Sequence, residues 1–230
     1  TASMIDIAKV YLESGDAEVA YSWLKKISKV ESSYQYKMDE LLIETYKKLG
    51  ESEKLHQLLY KKFRELHSIY SLDALLDQIG HDKRDEVVSG EVAQILKSAY
   101  LHPFDVEFLI KTGKIDEAEQ YLLARADQLD GGFYSNLLSV AEVMESESRY
   151  LIVCLIYRSL LVSILDRANT KAYHHGISYL KQLDNLSAKV DDWKNFNDHI
   201  TFKEGLYQKH HFKYSFWPKY DDQYKPSKKK

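Results

Sequence analysis

Cysteine, proline and glycine are scarce: one, three and nine among 230 residues. A lone thiol, Cys154, excludes an internal disulfide framework, so apolar packing has to hold the fold. So little proline and glycine leaves too few turn formers for a sheet protein and favours helices. Also missing is an apolar run of about 20 residues, the length a membrane-crossing helix needs. The longest run, Tyr150 to Tyr157, meets Arg158 and Ser159 at once and reads as a buried helix. Cys154 inside it reads as a small core residue, because burial raises a thiol pKa and suppresses nucleophilicity. No N-terminal signal segment is visible, and a cytoplasmic protein is the expectation.

Motifs that carry chemistry are absent too. There is no HExxH, CxxC or acidic calcium loop, no GxSxG and no GxxxxGK[ST]. Gly131-Gly132 lacks the strand-to-helix setting of a phosphate cradle. His174-His175 and His210-His211 are adjacent pairs, and neighbours on a helix point about 100° apart. A metal set would therefore take one His from each pair with Asp192 or Asp198, and surface histidines are the preferred reading. Asp116-Glu117 and Asp221-Asp222 fit helix starts and solvated turns. No catalytic residue, cofactor or metal ligand is expected.

What the chain does contain is a recurring pattern. In IAKVYLESGDAEVAYSWLKKI, residues 7–27, Ala8, Tyr11 and Leu12 share one helical face, Gly15-Asp16 breaks it, and Ala20, Leu24 and Ile27 form the face of a second helix. Small Ala8 and Ala20 permit close approach of the two. Ile43, Tyr46, Gly50, Leu55 and Leu59 repeat the order, and Val106, Leu109, Gly113, Ala118 and Leu122 repeat it again. A weaker copy surrounds Gly80, with Asp85 and Ser89 at apolar places. A copy without glycine surrounds Ser148, with Ala141, Met144, Val153 and Tyr157. The anchors 15, 50, 80, 113 and 148 lie 35, 30, 33 and 35 residues apart.

This period, with small, aromatic, Gly, Ala and large residues in order, resembles the tetratricopeptide repeat, a helix-turn-helix unit stacking into a right-handed superhelix. The resemblance covers about two-thirds of the chain and lacks the closing proline. It implies an all-α protein, a right-handed α-α superhelix of five to six helical hairpins. Repeats are placed near 2–31, 36–67, 71–99, 104–130 and 133–166, with altered helix lengths near 70–100. A divergent C-terminal pair over 170–211 closes the domain 1–211, and 212–230 forms an aromatic and basic strap and tail. Tyr179-Leu180, Leu183, Asp192-Trp193, Ser215-Phe216-Trp217, Gly15-Asp16-Ala17 and the string 126–131 also look like the C-terminal helical-repeat region of a large bacterial family of uncharacterised proteins. That resemblance brings no activity with it. Because Thr-Ala-Ser-Met leads almost directly into a repeat helix, a fragment with its N-terminal domain left out is expected.

Local signals refine the plan. Ser71 is expected to cap a helix through Leu72, Leu75, Leu76 and Ile79. Residues 81–86, HDKRDE, read as a solvated turn before a short helix over 91–100, which Pro103 terminates. Residues 170–190 read as one long helix, and Asp191 or Asp192 as the cap of a last helix carrying Trp193, Phe196, Ile200 and Leu206.

In tetratricopeptide geometry the first helix of each hairpin lines a concave groove. Transferred by register, the groove positions are Ile5, Lys9, Leu12 and Glu13, then Glu40, Glu44, Lys47 and Lys48, then Glu107, Ile110 and Lys111, and last Leu138, Glu142 and Glu145. They are mixed in sign with apolar spots, and lack the asparagine and paired basic residues that clamp a peptide's terminal carboxylate. Eighteen tyrosines suit a protein-binding surface. From Lys194 onward nine Lys face four Asp or Glu, which leaves that end +5 and, given the total of −3, the preceding residues −8. Lysines there interleave Phe212, Tyr214, Phe216, Trp217, Tyr220 and Tyr224, a composition that suits single-stranded nucleic acid. Packing of Phe212, Tyr214, Phe216, Trp217 and Tyr220 as an extended strap is preferred, because an acidic body repels phosphate. The leading expectation is a non-catalytic scaffold holding a protein or peptide segment, or its own N-terminal domain. A nucleic-acid-associated protein is second, and part of an enzyme completed by a missing region third.

Overall fold

The computed structural model describes residues 2–224, and the side chains up to 221. The basic tail at 225–230 lies outside the described residues. Thirteen α-helices and four single 3-10 turns make up the described chain, which has no strand. The fold is all-helical.

Two compact units divide the chain between Glu91 and Val92. The first holds α1 (Ala2–Glu13), α2 (Ala17–Lys25), α3 (Ser32–Leu49), α4 (Ser52–Leu66), α5 (Ile69–Ile79) and the first half of α6 (Arg84–Lys97). The second holds the rest of α6, then α7 (Pro103–Lys111), α8 (Ile115–Leu123), α9 (Tyr134–Ser146), α10 (Tyr150–Asp166), α11 (Tyr173–Leu186), α12 (His199–His210) and α13 (Trp217–Tyr224).

One turn recurs. Gly15, Gly50 and Gly113 are left-handed, with φ of 94°, 70° and 74°. At each, the next amide donates back to a carbonyl of the preceding helix: Asp16 N to Tyr11 O, Glu51 N to Tyr46 O and Lys114 N to Leu109 O, at 2.8, 3.0 and 2.8 Å. This closes the helix and reverses the chain, and glycine pays no Cβ penalty in that conformation. Ser148 does the same without glycine, at φ 59° with Arg149 N donating to Met144 O at 2.8 Å. The Gly80 copy differs: φ 105° and ψ 133° lead into a 3-10 turn at His81–Lys83, so α5 and α6 leave the pattern.

In the first unit Ile5, Ala8 and Leu12 of α1 meet Ala17, Ala20 and Leu24 of α2, with Met38 and Leu41 of α3 closing over them. Tyr11 is not part of this core. It is 37% exposed and Leu12 1%, because the buried stripe of α1 runs through 5, 8 and 12 and leaves position 11 at its edge. Tyr46 is half-buried, its ring edge-on to Tyr21 at 5.6 Å.

The second unit is built on α10, which packs against α8, α9 and α11. Every residue from Leu151 to Arg158 is buried; a helix apolar on all sides has to be enclosed. No helix among the described residues is long and apolar enough to cross a membrane.

Several local expectations change. Ser68, not Ser71, caps α5, accepting from Ser71 N at 3.1 Å. HDKRDE is only half a turn: α6 begins at Arg84, and Asp85 and Glu86 sit in its first turn, where the helix dipole favours carboxylates. It ends at Lys97, before Pro103, which instead opens α7. Residues 170–190 are α11 flanked by two 3-10 turns. Trp193 and Phe196 precede the last expected helix rather than riding on it, because the cap is Asp198, whose carboxylate accepts from Thr201 N at 2.8 Å.

Candidate functional site

The expected groove positions scatter. Ile5 and Leu12 are interior, 0% and 1% exposed, because they carry the α1–α2 contact. The charged positions of the first unit are surface groups that largely satisfy one another. Lys9 pairs with Glu13 at 3.6 Å, Lys48 with Glu44 at 3.4 Å and Lys62 with Glu40 at 3.3 Å. Lys48 also donates to Leu12 O at 2.8 Å, fastening α3 to the end of α1. Lys47 is exposed. A wide cleft of about 740 Å³ in this unit lies elsewhere, among Glu53, Tyr60 and Arg64 of α4 and Ile79, Lys83 and Glu86 beyond it.

In the second unit, α7 and α9 lie side by side over a cleft of about 570 Å³. Val106, Glu107, Ile110 and Lys111 line it from α7, and Asn136, Val140 and Val143 from α9, with Leu101 and Phe133 also in the lining. Glu107, Ile110 and Lys111 are also the α7 positions transferred by register, and Val106 is not. The α9 positions differ: Leu138, Glu142 and Glu145 form a strip two residues, about 200°, away from the lining one. Transfer by register picks residues facing one common direction. A cleft between neighbouring helices is lined by their facing flanks instead. Glu107 and Lys111 pair with each other at 2.5 Å, so the cleft has largely apolar walls and keeps one further charge, the Asp130 carboxylate.

Three buried polar clusters were not legible in the sequence. In the first unit Glu91, 3% exposed, takes Arg64 Nε at 2.8 Å and faces His67 Nε2 at 3.5 Å. In the second, the Tyr121 hydroxyl sits 2.7 Å from Tyr100 O and 2.9 Å from Asp105 Oδ2 and accepts from His102 N at 3.1 Å. Burial pushes its pKa up to about 12, so it serves as a fixed hydrogen-bond group. Arg125 stacks on that ring and donates to Tyr121 O, Leu96 O and Ser98 O. The third cluster surrounds Asp184, whose oxygens take Lys203 Nζ at 2.9 Å and Tyr220 Oη at 2.5 Å and lie 2.8 Å from His199 Nε2. Although burial opposes it, hydrogen bonds from His199, Lys203 and Tyr220 hold this carboxyl down at about 2. A carboxylate engaged by that many donors is a clamp and is badly placed to abstract a proton.

The strap is helical rather than extended beyond residue 216. Phe216, Trp217 and Tyr220 are buried, Trp217 Nε1 donating to His210 O at 2.9 Å, and Trp217 and Tyr220 line a cleft of about 360 Å³ with Tyr207. Phe212 and Tyr214 are exposed. No three His, Cys, Asp or Glu side chains converge on one point among the described residues.

A family described as a family of unknown function (DUF6880) matches residues 1–219. The chain belongs to that family. The DUF6880 match takes in both compact units, all of the α7–α9 cleft and the buried Phe216 and Trp217. Among curated proteins and among solved structures nothing matches the chain.

Proposed function

We propose that this DUF6880 chain is a non-catalytic binding module of the tetratricopeptide kind, a right-handed superhelix of five to six hairpins. It holds a protein segment bearing bulky apolar side chains in the α7–α9 cleft. The observation that carries this reading is the cleft itself. Its volume is in the range of sites that enclose ligand groups, Val106, Ile110, Val140 and Val143 supply apolar wall, and of its three charged residues Glu107 and Lys111 are spent on each other, which leaves the Asp130 carboxylate. Ion pairs at an exposed rim add little affinity, so apolar burial is what the cleft has to offer. An amphipathic segment with apolar anchors one helical turn apart suits two parallel rows of lining residues. The turn repeated at Gly15, Gly50, Gly113 and Ser148 supports the repeat class. The segment belongs either to a separate protein or to a domain preceding this chain.

The test is selection of a displayed random-peptide library on the full chain. Apolar-anchored peptides are expected, with affinity falling at least about tenfold, one lost hot-spot contact, in Ile110→Glu or Val143→Glu of unchanged circular dichroism. Binding that survives both, or is lost instead on exchanging the charges of Glu44 and Lys47, overturns the assignment of the cleft.

A further inference from the structure

Arg158 sits mid-way along α10 and is 7% exposed. Its guanidinium lies between the rings of Trp193 and Phe202, 4.4 and 4.5 Å from their centroids, and Nη1 donates to Asn197 O at 2.7 Å. Nε and Nη2 form the long edge of the fork, the edge that takes a carboxylate through two parallel hydrogen bonds. Both are buried and have no acceptor among the described residues. Asp198 is the carboxylate whose field favours the charged form, but it is committed to capping α12. Burial without a close counter-charge pushes the Arg158 pKa down, to about 10. A well-packed apolar residue would suit this helix better on stability alone.

Arg158 also lines a cleft of about 660 Å³ between α10 and the turn before α9. Leu129, Leu155 and Val162 supply apolar wall, and Phe196 stands at it from the irregular segment 190–198. We propose that this cleft is a binding site for a small monocarboxylate with an apolar body, whose carboxylate takes the Nε and Nη2 edge of Arg158. The unpartnered edge selects an anion, and the rest of the lining limits its charge: Asp127, Asp130 and Asp166 stand against Arg158 and Arg167, a net −1 that penalises a dianion such as phosphate more than a monoanion. A singly charged, planar group matches the fork in charge and shape. Nε and Nη2 are buried in this structure, so the segment carrying Trp193 and Phe196 moves aside as the ligand seats. The proposal does not rest on the reading of the α7–α9 cleft.

The experiment titrates the full chain with phenylacetate, neutral phenylacetamide and inorganic phosphate at constant ionic strength. The Arg158 Nε–H and Trp193 indole N–H signals are followed by nuclear magnetic resonance. A saturable shift of both with phenylacetate is expected, at least about tenfold weaker with the amide, as for loss of a charge-assisted hydrogen bond, and weaker with phosphate. Arg158→Lys keeps the charge and loses the planar fork, and weakens phenylacetate binding by a similar factor. If that variant does not fold, the contrast between acid and amide in the unaltered protein decides. Absence of a saturable shift with phenylacetate, equal binding of the amide, or tighter binding of phosphate overturns the proposal.

Discussion

Tyr220 Oη donates to Asp184 Oδ2 at 2.5 Å, tying α13 to α11 across 36 residues. The folded-state pKa of Asp184 is depressed to about 2 from its ordinary 3.8. The stabilisation is therefore fully present above about pH 4 and is lost as pH falls through 2. Asp184→Asn removes charge-assisted hydrogen bonds and is expected to cost about 2 kcal/mol, or roughly 4–8 °C in Tm. Thermal unfolding from pH 6 to pH 2 checks the sign: the gap between unaltered protein and variant closes at the acid end. A gap independent of pH would show that the charge is not what matters.

The repeated turn makes opposite predictions at two equivalent places. An added Cβ meets nothing within 4 Å at Gly113, so Gly113→Ala is penalised only by its left-handed backbone, about 1 kcal/mol. Ser148→Gly relieves the same strain and gains roughly 0.5–1 kcal/mol. Gly131→Ala should be worse than either, since its Cβ would run into the Ser159 carbonyl on α10. Urea unfolding midpoints rank the three, and destabilisation by Ser148→Gly would break the equivalence.

Leu12 and Tyr11 are adjacent in sequence and opposite in consequence. Leu12→Ala opens a hole in the α1–α2–α3 core and is expected to cost 2–5 kcal/mol by the usual scale (about 3). Tyr11→Ala, at a half-exposed edge, is expected to cost about 1 kcal/mol or less. Comparable losses in chemical denaturation would shift the buried stripe of α1.

Cys154 is enclosed in α10, and burial pushes its thiol up to about 11. At pH 8 the thiolate is a minor species, so a disulfide reagent should modify the native chain only as fast as it opens. In urea, modification should be rapid. A native rate equal to the unfolded rate would contradict the packing of α10.

What could be read beforehand follows from how local each signal is. Hairpin turns at Gly15, Gly50 and Gly113 depend on a few neighbouring residues, and their apolar partners keep a fixed distance from them. The Gly80 region misleads because a glycine marks a turn without saying which turn. Trp193 and Phe196 have helical spacing with Ile200, yet Asp198 and its bond to Thr201 N start the helix after them. The lining of the cleft by Asn136, Val140 and Val143 depends on which flank of α9 meets α7, a tertiary fact. Asp184, Tyr121 and Arg158 are likewise polar letters whose side chains find hydrogen-bond partners 15 to 39 residues away.

Arg125, reaching from the end of α8 to Leu96 O and Ser98 O, supplies from outside the acceptor closure that a helix normally finds in its own next few residues. The last turn of α6 is thus finished by a side chain 29 residues downstream. Opening α8 strips that closure, so amide protons in the second half of α6 and in α8 should exchange with solvent as one cooperative group.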